Sequence, residues 1–329
     1  MTPVRIGLLG CGRLGTYGLI EPAREIAELE VVAVASRDAA KGRAYADDHG
    51  VPRACTYREL IDDPELDAIH IALPNSMHAE WSIRALEAGK AVLCEKPLTA
   101  NAAEAREAVN VARRVGRPFV EAVHWLHHPL AARLAEICRS GMVGHVQSVD
   151  VRFLYSERLL EPDDIRRNYA MGGGVLPDTG HYCVRMLRHL LGEPVRLHRA
   201  DAIRLSPDVD IEVKAEFEFD GGAIGRLETG SRLRDGDVDT AVDIQGSHGS
   251  VHVMMPFTPQ LGGTLQINAG GKIVHEDVDM RSTYFFQALD FVDVVRDGKP
   301  SATPASDGIA TMEMIDGIYH HLGMKPRGM

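Results

Sequence analysis

The feature that most constrains this chain is an apolar run that stops on glycines and restarts as a helix. Val4-Arg5-Ile6-Gly7-Leu8-Leu9 reads as a buried strand, and Gly10-Cys11-Gly12-Arg13-Leu14-Gly15 follows it directly. Glycines in the spacing G-x-G-x-x-G permit a tight turn. They also let a pyrophosphate approach the backbone at a helix N-terminus, where N–H groups point at the anion. Placed between a strand and a helix, the string reads as a dinucleotide-binding loop that uses Gly10, Gly12, Arg13 and Leu14. A plain glycine turn is the alternative.

The next hundred residues repeat the same grammar. Further strands are expected at Val31–Ala35, Asp67–Leu73, Ala91–Cys94 and Phe119–Val123. Helices are expected from the glycine loop to about Leu29, where Pro22 should kink or break the helix, and at Ala39–Asp48, His78–Ala88 and Ala102–Val115. Such alternation builds a parallel sheet covered on both faces, a Rossmann-type domain over residues 1–123. Beyond His124 the pattern changes. One helix, Leu130–Ser140, leads into β runs such as Val146–Tyr155 and Ile211–Phe219, whose period-two alternation suits an open antiparallel or mixed sheet with one face on helices. Helices near 283–295 and 307–322 close the chain. Residues 124–329 are therefore expected to form the second domain.

The end of the second strand bears on which dinucleotide would bind. An acidic residue is usual there when the ribose 2′-hydroxyl is read. Here Ser36-Arg37 stands at that place, and a hydroxyl with a guanidinium suits a 2′-phosphate. NADP is thus expected, with NAD as the alternative if Asp38 reaches the ribose. Asp38 can equally be the N-cap of the next helix.

Three further clusters carry chemistry. Cys94-Glu95-Lys96-Pro97 ends a strand at the edge where open α/β sheets keep their ligands, which makes Lys96 a candidate ammonium beside a reacting oxygen rather than part of a solvated turn. Leu73-Pro74-Asn75, with His78, ends another strand on that edge and would flank the cofactor with Glu95, or simply cap a helix. Gly172-Gly173-Gly174 leads into a helix on which Asp178 and Tyr182, four apart, share a face. A carboxylate can orient a phenol and a nearby ammonium favours its ionised form, so Tyr182 can give or take a proton. The plainer reading is a capped helix with a buried Tyr. His124, Trp125 and His181 are candidates to line a substrate pocket.

Charge and composition remove other classes. Lys and Arg number 36 and Asp and Glu 47, a net charge of −11, with no basic block for a nucleic acid or an acidic membrane. No apolar run reaches the ~18 residues of a membrane span. Five scattered cysteines without a C-x-x-C pair argue against disulfides or cysteine-held zinc and for a cytoplasmic chain. Among fifteen histidines, His124, His127 and His128 cluster without the carboxylate spacing of a metal site, and no metal is expected.

Taken in order, these landmarks resemble the Gfo/Idh/MocA family, named for glucose–fructose oxidoreductase, inositol dehydrogenase and a rhizopine catabolism protein. They are the glycine loop, Leu73-Pro74-Asn75 with His78, Glu95-Lys96-Pro97, Glu121-Ala122 with His128-Pro129, Gly172 through Tyr182, and Gln245-Gly246-Ser247-His248-Gly249-Ser250. The resemblance implies an α/β chain with a Rossmann domain and a C-terminal α+β domain built on a large open, mostly antiparallel sheet, assembled as homodimers or homotetramers. It implies that Lys96 is the catalytic lysine. Tyr182 is similar to the branch containing glucose–fructose oxidoreductase, xylose dehydrogenase and dimeric dihydrodiol dehydrogenase, which often uses NADP. Arg166 matches an arginine that faces cofactor or substrate in relatives. Leu126 and His181 depart from the branch, which often has Arg and a small Cys at those places.

The expected function is hydride transfer between a nicotinamide and a sugar, polyol or related hydroxy/keto compound. Tyr182 would exchange the proton, Lys96 stabilise the alkoxide and Asp178 orient the substrate. A dinucleotide-binding regulator and an NAD-dependent glycoside hydrolase are the alternatives.

Overall fold

The computed structural model describes residues 2–161 and 163–329. Its helices are α1 (Arg13–Gly15), α2 (Glu21–Glu25), α3 (Ala39–His49), α4 (Tyr57–Asp62), α5 (His78–Glu87), α6 (Ala102–Val115), α7 (Pro129–Ser140), α8 (His181–Leu191), α9 (Thr283–Asp297) and α10 (Ala305–His321). The chain divides into two compact units. One contains the residues up to His127 together with Tyr284–Ala310; the other contains His128–Thr283 and Thr311–Met329.

The first unit is built on six strands: β1 (Val4–Leu9), β2 (Leu29–Ala35), β3 (Arg53–Cys55), β4 (Ala68–Ile71), β5 (Ala91–Glu95) and β6 (Phe119–Ala122). They lie in the order β3-β2-β1-β4-β5-β6 and every pair is parallel. The doubly wound sheet expected from strand–helix alternation is therefore present. Local chemistry explains the boundaries. In α6, Ala105, Ala108, Val109 and Ala112 are buried at helical spacing, Asn101 caps the start by accepting from Glu104 N at 3.0 Å, and Gly116 ends it at φ +66°. The first helix departs from expectation. A wide π turn, Thr16–Ile20, joins α1 to α2, and Pro22 sits in the first turn of α2, where its missing N–H costs little. The helix stops at Glu25 rather than near Leu29, because Ile26 turns extended and drops its side chain into the core.

The reading of 124–329 as one domain needs correction. Helix α9 places Ala288, Phe291, Val292 and Val294 in the same apolar cluster as Ile6, Leu8, Leu19, Val34 and Leu93. The parallel sheet needs cover on both faces, and a segment from far along the chain supplies part of it. The first crossing, at His127, lies close to the expected boundary at 123.

The second unit carries β7 (Val146–Tyr155), β8 (Pro194–Ser206), β9 (Val209–Phe219), β10 (Ile224–Gly230), β11 (Val238–Gly246), β12 (Gly249–Met254), β13 (Thr264–Ala269) and β14 (Lys272–Glu276). Their order is β14-β13-β12-β11-β7-β10-β9-β8. Only the central β7–β10 pair is parallel. Alternation sorts the faces. Val149, Val151, Ala215, Phe217 and Leu227 are buried, and α8 packs on β7 and β10. On the other face Arg152 meets Asp239 at 2.9 Å and Arg226 meets Glu216 at 2.8 Å. Among the described residues no helix is long and apolar enough to cross a membrane.

Phe291 is 1% exposed within the first unit's core. Phe291→Ala is expected to cost about 3–5 kcal/mol in urea unfolding. A loss below about 1 kcal/mol would place α9 outside that core.

Candidate active site

Two glycines of the first loop have a steric reason of their own. Gly10 adopts φ +123°, its N–H donates to Ala35 O at 3.0 Å, and a Cβ there would collide with the carbonyl of Ala72. Gly15 lies against Leu8, where a Cβ would come within 2.7 Å of Leu8 Cδ2. Gly12 differs: a Cβ would meet nothing within 4 Å, and Gly12 caps α1 with no side chain across the helix end. The loop therefore leaves open space in front of the backbone N–H groups that begin at Arg13 and Leu14, which fits a pyrophosphate.

At the end of β2, Asp38 is committed to the fold. Its carboxylate accepts from Ala40 N at 2.8 Å and Lys41 N at 3.0 Å as the N-cap of α3, and these backbone bonds hold its pKa below the ordinary value. Ser36 Oγ accepts from Asp38 N at 3.2 Å. Ser36, Arg37 and Arg43 line a pocket of ≈ 190 Å³ with Cys55, Thr56 and Glu59. The charge of Arg37 also acts on the Tyr57 phenol, which burial pushes upward. Two guanidiniums and a hydroxyl, with Asp38 occupied elsewhere, fit a phosphorylated ribose better than a bare diol.

The loops after β4 and β5 are tied to each other. The His78 ring is fully buried, with Nδ1 2.7 Å from Pro97 O and Nε2 2.8 Å from Leu73 O, and burial lowers its pKa. It joins the Leu73-Pro74-Asn75 loop to the Lys96-Pro97 turn and has no exposed surface for a ligand. Leu98 N donates to Glu121 Oε1 at 2.9 Å, holding the far side of the same turn. Glu95 points inward, with Oε1 3.0 Å from His70 Nε2. It meets Gly18 and Tyr284 there: a Cβ on Gly18 would lie 3.6 Å from both. His124 stacks on Tyr284 with centroids 4.1 Å apart. Its pKa is pushed down to about 3, by burial first and then by the charges of Lys96 and His127. Lys96 thus shares its surroundings with a neutral imidazole. Trp125 is 1% exposed and offers a ligand almost no surface.

In the second unit, Gly172–Gly174 lead into a wide π turn, Leu176–Gly180, that runs straight into α8. Of residues 172–188, only Asp178 and Tyr182 keep partial exposure. The two residues expected to share a face are the two this segment presents. Asp178 pairs with Arg166 Nε, and Arg166 also meets Asp164 Oδ2 at 3.1 Å, so the Arg166 pKa is raised, chiefly by Asp178. Tyr182 packs against Phe153 and Phe257, each at 5.2 Å between centroids. His181, on the buried stripe of α8, has no surface, which removes the basis for reading it as a pocket residue. A hollow of this unit lies elsewhere, on the outer sheet face around Arg152, Lys214 and Arg226, where each of these cations is paired with a carboxylate.

Comparison with known proteins agrees with this geometry. Residues 4–122 match the model of the Gfo/Idh/MocA oxidoreductase family with an NAD-binding Rossmann fold, and residues 131–252 match that of the GFO/IDH/MocA C-terminal domain. The chain belongs to the Gfo/Idh/MocA family. It is 33% identical over 317 residues to D-xylose 1-dehydrogenase (NADP(+)) 2 of Haloferax volcanii, covering 95% of each chain. It is 35% identical over 258 residues to a dTDP-3,4-didehydro-2,6-dideoxy-alpha-D-glucose 3-reductase of Saccharopolyspora spinosa, covering 78% of this chain and 76% of that one. A solved structure of a 3-ketoreductase from Actinomadura kijaniata, in complex with NADP and TDP-benzene, superposes with a TM-score of 0.89. It is 26% identical, covering 97% of this chain and 98% of the other. The protein is an oxidoreductase of this family, and its first unit is an NAD(P)-binding Rossmann domain.

Several neighbours of the candidate residues in this Gfo/Idh/MocA chain escape a reading of the sequence. Tyr284 reaches His124 from α9, a contact that no local pattern announces. Phe153 was legible in part, since it continues the inward positions Val149 and Val151 of β7. Tyr155, two further on, is buried with its hydroxyl unpartnered, and burial followed by the charge of Asp178 raises its pKa.

His124 yields a test of the site's electrostatics. Its folded pKa of about 3 lies below the ~6.5 of an unfolded histidine, so the unfolded chain binds the extra proton between these values. Its contribution to stability is complete above ~6.5 and is lost as pH falls toward 3. His124→Phe should flatten the acid limb of stability against pH; an unchanged limb would contradict the buried neutral ring.

Proposed function

We propose that the protein is an NADP-dependent dehydrogenase or reductase. It moves a hydride between the nicotinamide and a carbon that bears a hydroxyl or keto group in a sugar, polyol or related compound. The observation that carries this reading is the exposure pattern after the glycine run, where a long buried segment presents Asp178 and Tyr182 alone. The named activities of the xylose dehydrogenase and the dTDP-sugar reductase support the substrate class.

When bound, the nicotinamide supplies or accepts the hydride. The loop at Gly10–Gly15 binds the pyrophosphate, and Ser36, Arg37 and Arg43 take the 2′-phosphate. Lys96 places an ammonium against the substrate oxygen, where it stabilises the negative charge that develops. The Tyr182 hydroxyl gives up or receives the oxygen's proton. Asp178, held by Arg166, accepts from a substrate hydroxyl and orients it. Phe153 and Phe257 fix the Tyr182 ring and exclude water from one side of it.

Aldoses and polyols with NADP, and keto sugars with NADPH, form the screening panel, read by nicotinamide absorbance. Lys96→Met and Tyr182→Phe are each expected to lower kcat by about 10²–10⁴-fold while NADPH binding is kept. Full turnover in either variant would overturn the assigned roles. Arg37→Ala should weaken NADPH binding by about 1.5–3 kcal/mol, roughly 10–150-fold, and leave NADH binding unmoved. Asp38→Ala should lower thermal stability through the lost cap without changing the preference between cofactors. A loss of NADH binding in Asp38→Ala would show instead that this carboxylate reads the ribose.

A further inference from the structure

The segment that presents Asp178 and Tyr182 is held from behind by a buried cation that no step of the proposed reaction uses. Arg327 is fully buried. Its Nη2 donates to Asp210 Oδ1 at 2.5 Å and to Tyr319 Oη at 2.8 Å, and its Nε donates to the carbonyl of Gly173. Tyr319 in turn donates to Asp210 Oδ1 at 2.7 Å. The guanidinium lies 4.2 Å from the centroid of the Tyr319 ring and 5.3 Å from that of Tyr169. Tyr169 Oη is 2.8 Å from the carbonyl oxygens of Pro326 and Met329, which ties down the backbone on either side of Arg327.

These bonds converge on four residues. Asp210 Oδ2 accepts from Leu176 N at 2.8 Å, the first residue of the wide turn that carries Asp178. Gly174 sits over the ion pair at φ +118°, and a Cβ there would collide with both the Asp210 carboxylate and the Arg327 guanidinium. The third glycine of the run is thus required by a charge pair beneath it. Stability alone does not call for such a pair, since well-packed apolar groups commonly do as well as a buried ion pair. What the planar fork adds is direction: one side chain bonds a backbone carbonyl and a carboxylate at fixed angles, which a lysine cannot do.

We propose that Arg327 is a positioning residue for the reaction. Acting through the Gly173 carbonyl and Asp210, it fixes the backbone of residues 173–176 and so the aim of Asp178 and Tyr182. This rests on the assignment of Asp178 and Tyr182 to the substrate site. Small displacements of reacting groups are costly, so loss of the fork should lower turnover without touching the cofactor unit.

The test separates aim from folding. Arg327→Met strands the Asp210 charge in the interior and should destabilise the fold. Adding Asp210→Asn removes that charge while leaving an oxygen for Leu176 N. In the double variant, thermal stability should recover most of what the single variant loses. Turnover with D-xylose and NADP, or with the best substrate of the panel, should stay about 10–100-fold low per NADPH-binding site, at an unchanged KM for the cofactor. Amide exchange over residues 173–180, measured with no substrate present, should be faster than in the wild type while the sheet strands are unchanged. Turnover that recovers with stability, or exchange that does not change, would overturn the proposal. Should the double variant not fold, Arg327→Lys keeps the charge and loses the fork. It is expected to fold with lowered turnover, and wild-type turnover in it would refute the positioning role. Failure of the underlying reading looks different: Tyr182→Phe would be fully active, whereas the exchange result stands whatever that variant does.

Discussion

Parallel pairing is the constraint on which the first unit depends. Strands that all run the same way must all end at the same edge, so the segments leaving β1, β2, β4, β5 and β6 are delivered to one side of the sheet. Gly10, Ser36 and Lys96 are each the first residue out of a strand, and Leu73 and His124 are each the second. Residues as far apart in sequence as 10 and 124 are thereby gathered at one edge. The same pairing buries the strands on both faces, and a sheet with no wet face has to recruit cover from elsewhere in the chain.

Delivery to an edge does not fix a loop. In this unit the fixing is done by buried polar side chains that satisfy backbone groups. One imidazole, His78, bridges the carbonyls of Leu73 and Pro97, and one carboxylate, Glu121, receives the N–H of Leu98. These anchors grip Pro97 and Leu98, the two residues that follow Lys96, and so hold the turn that carries it. The second unit uses the same device in another form, with Arg327 and Asp210 underneath the glycine run. Buried polar groups are costly unless fully bonded, and both loops bond theirs to main chain.

What the sequence discloses and what it hides follow from range and exposure. The glycine loop, the helix ending at Gly116 and the alternation of Val146–Tyr155 are local patterns, and each element lies where its pattern puts it. Strand β8 is the longest in the chain and was not legible. It is an exposed edge strand whose register with β9 shifts repeatedly, so no alternation survives along it. Strand β3 has three residues, too few to carry a period. Helix α4 did leave a signal, the capping box of Thr56 and Glu59, at the start of only six residues. At the candidate site, the four-residue spacing put Asp178 and Tyr182 on one segment, and these are the two residues of 172–188 that the fold leaves partly exposed. The spacing did not show that Arg166, a candidate substrate ligand, and Asp178 form one ion pair, nor that Tyr284 stacks on His124. Those contacts exist only once distant segments have met. His78 and His181 show the converse: a motif position identifies a residue type without telling whether the side chain faces outward or backbone.

The interleaving of the two units also has a consequence for how the protein is made. The strands of the parallel sheet are complete once Ala122 has been synthesised, yet Phe291 and its neighbours on α9 lie beyond the intervening stretch His128–Thr283. At roughly 5–20 residues per second of synthesis, the sheet waits on the order of ten to thirty seconds with one apolar patch uncovered. The nascent chain therefore spends that interval with a nucleotide-binding half that is topologically finished but not yet sealed, a window in which chaperones have something to hold.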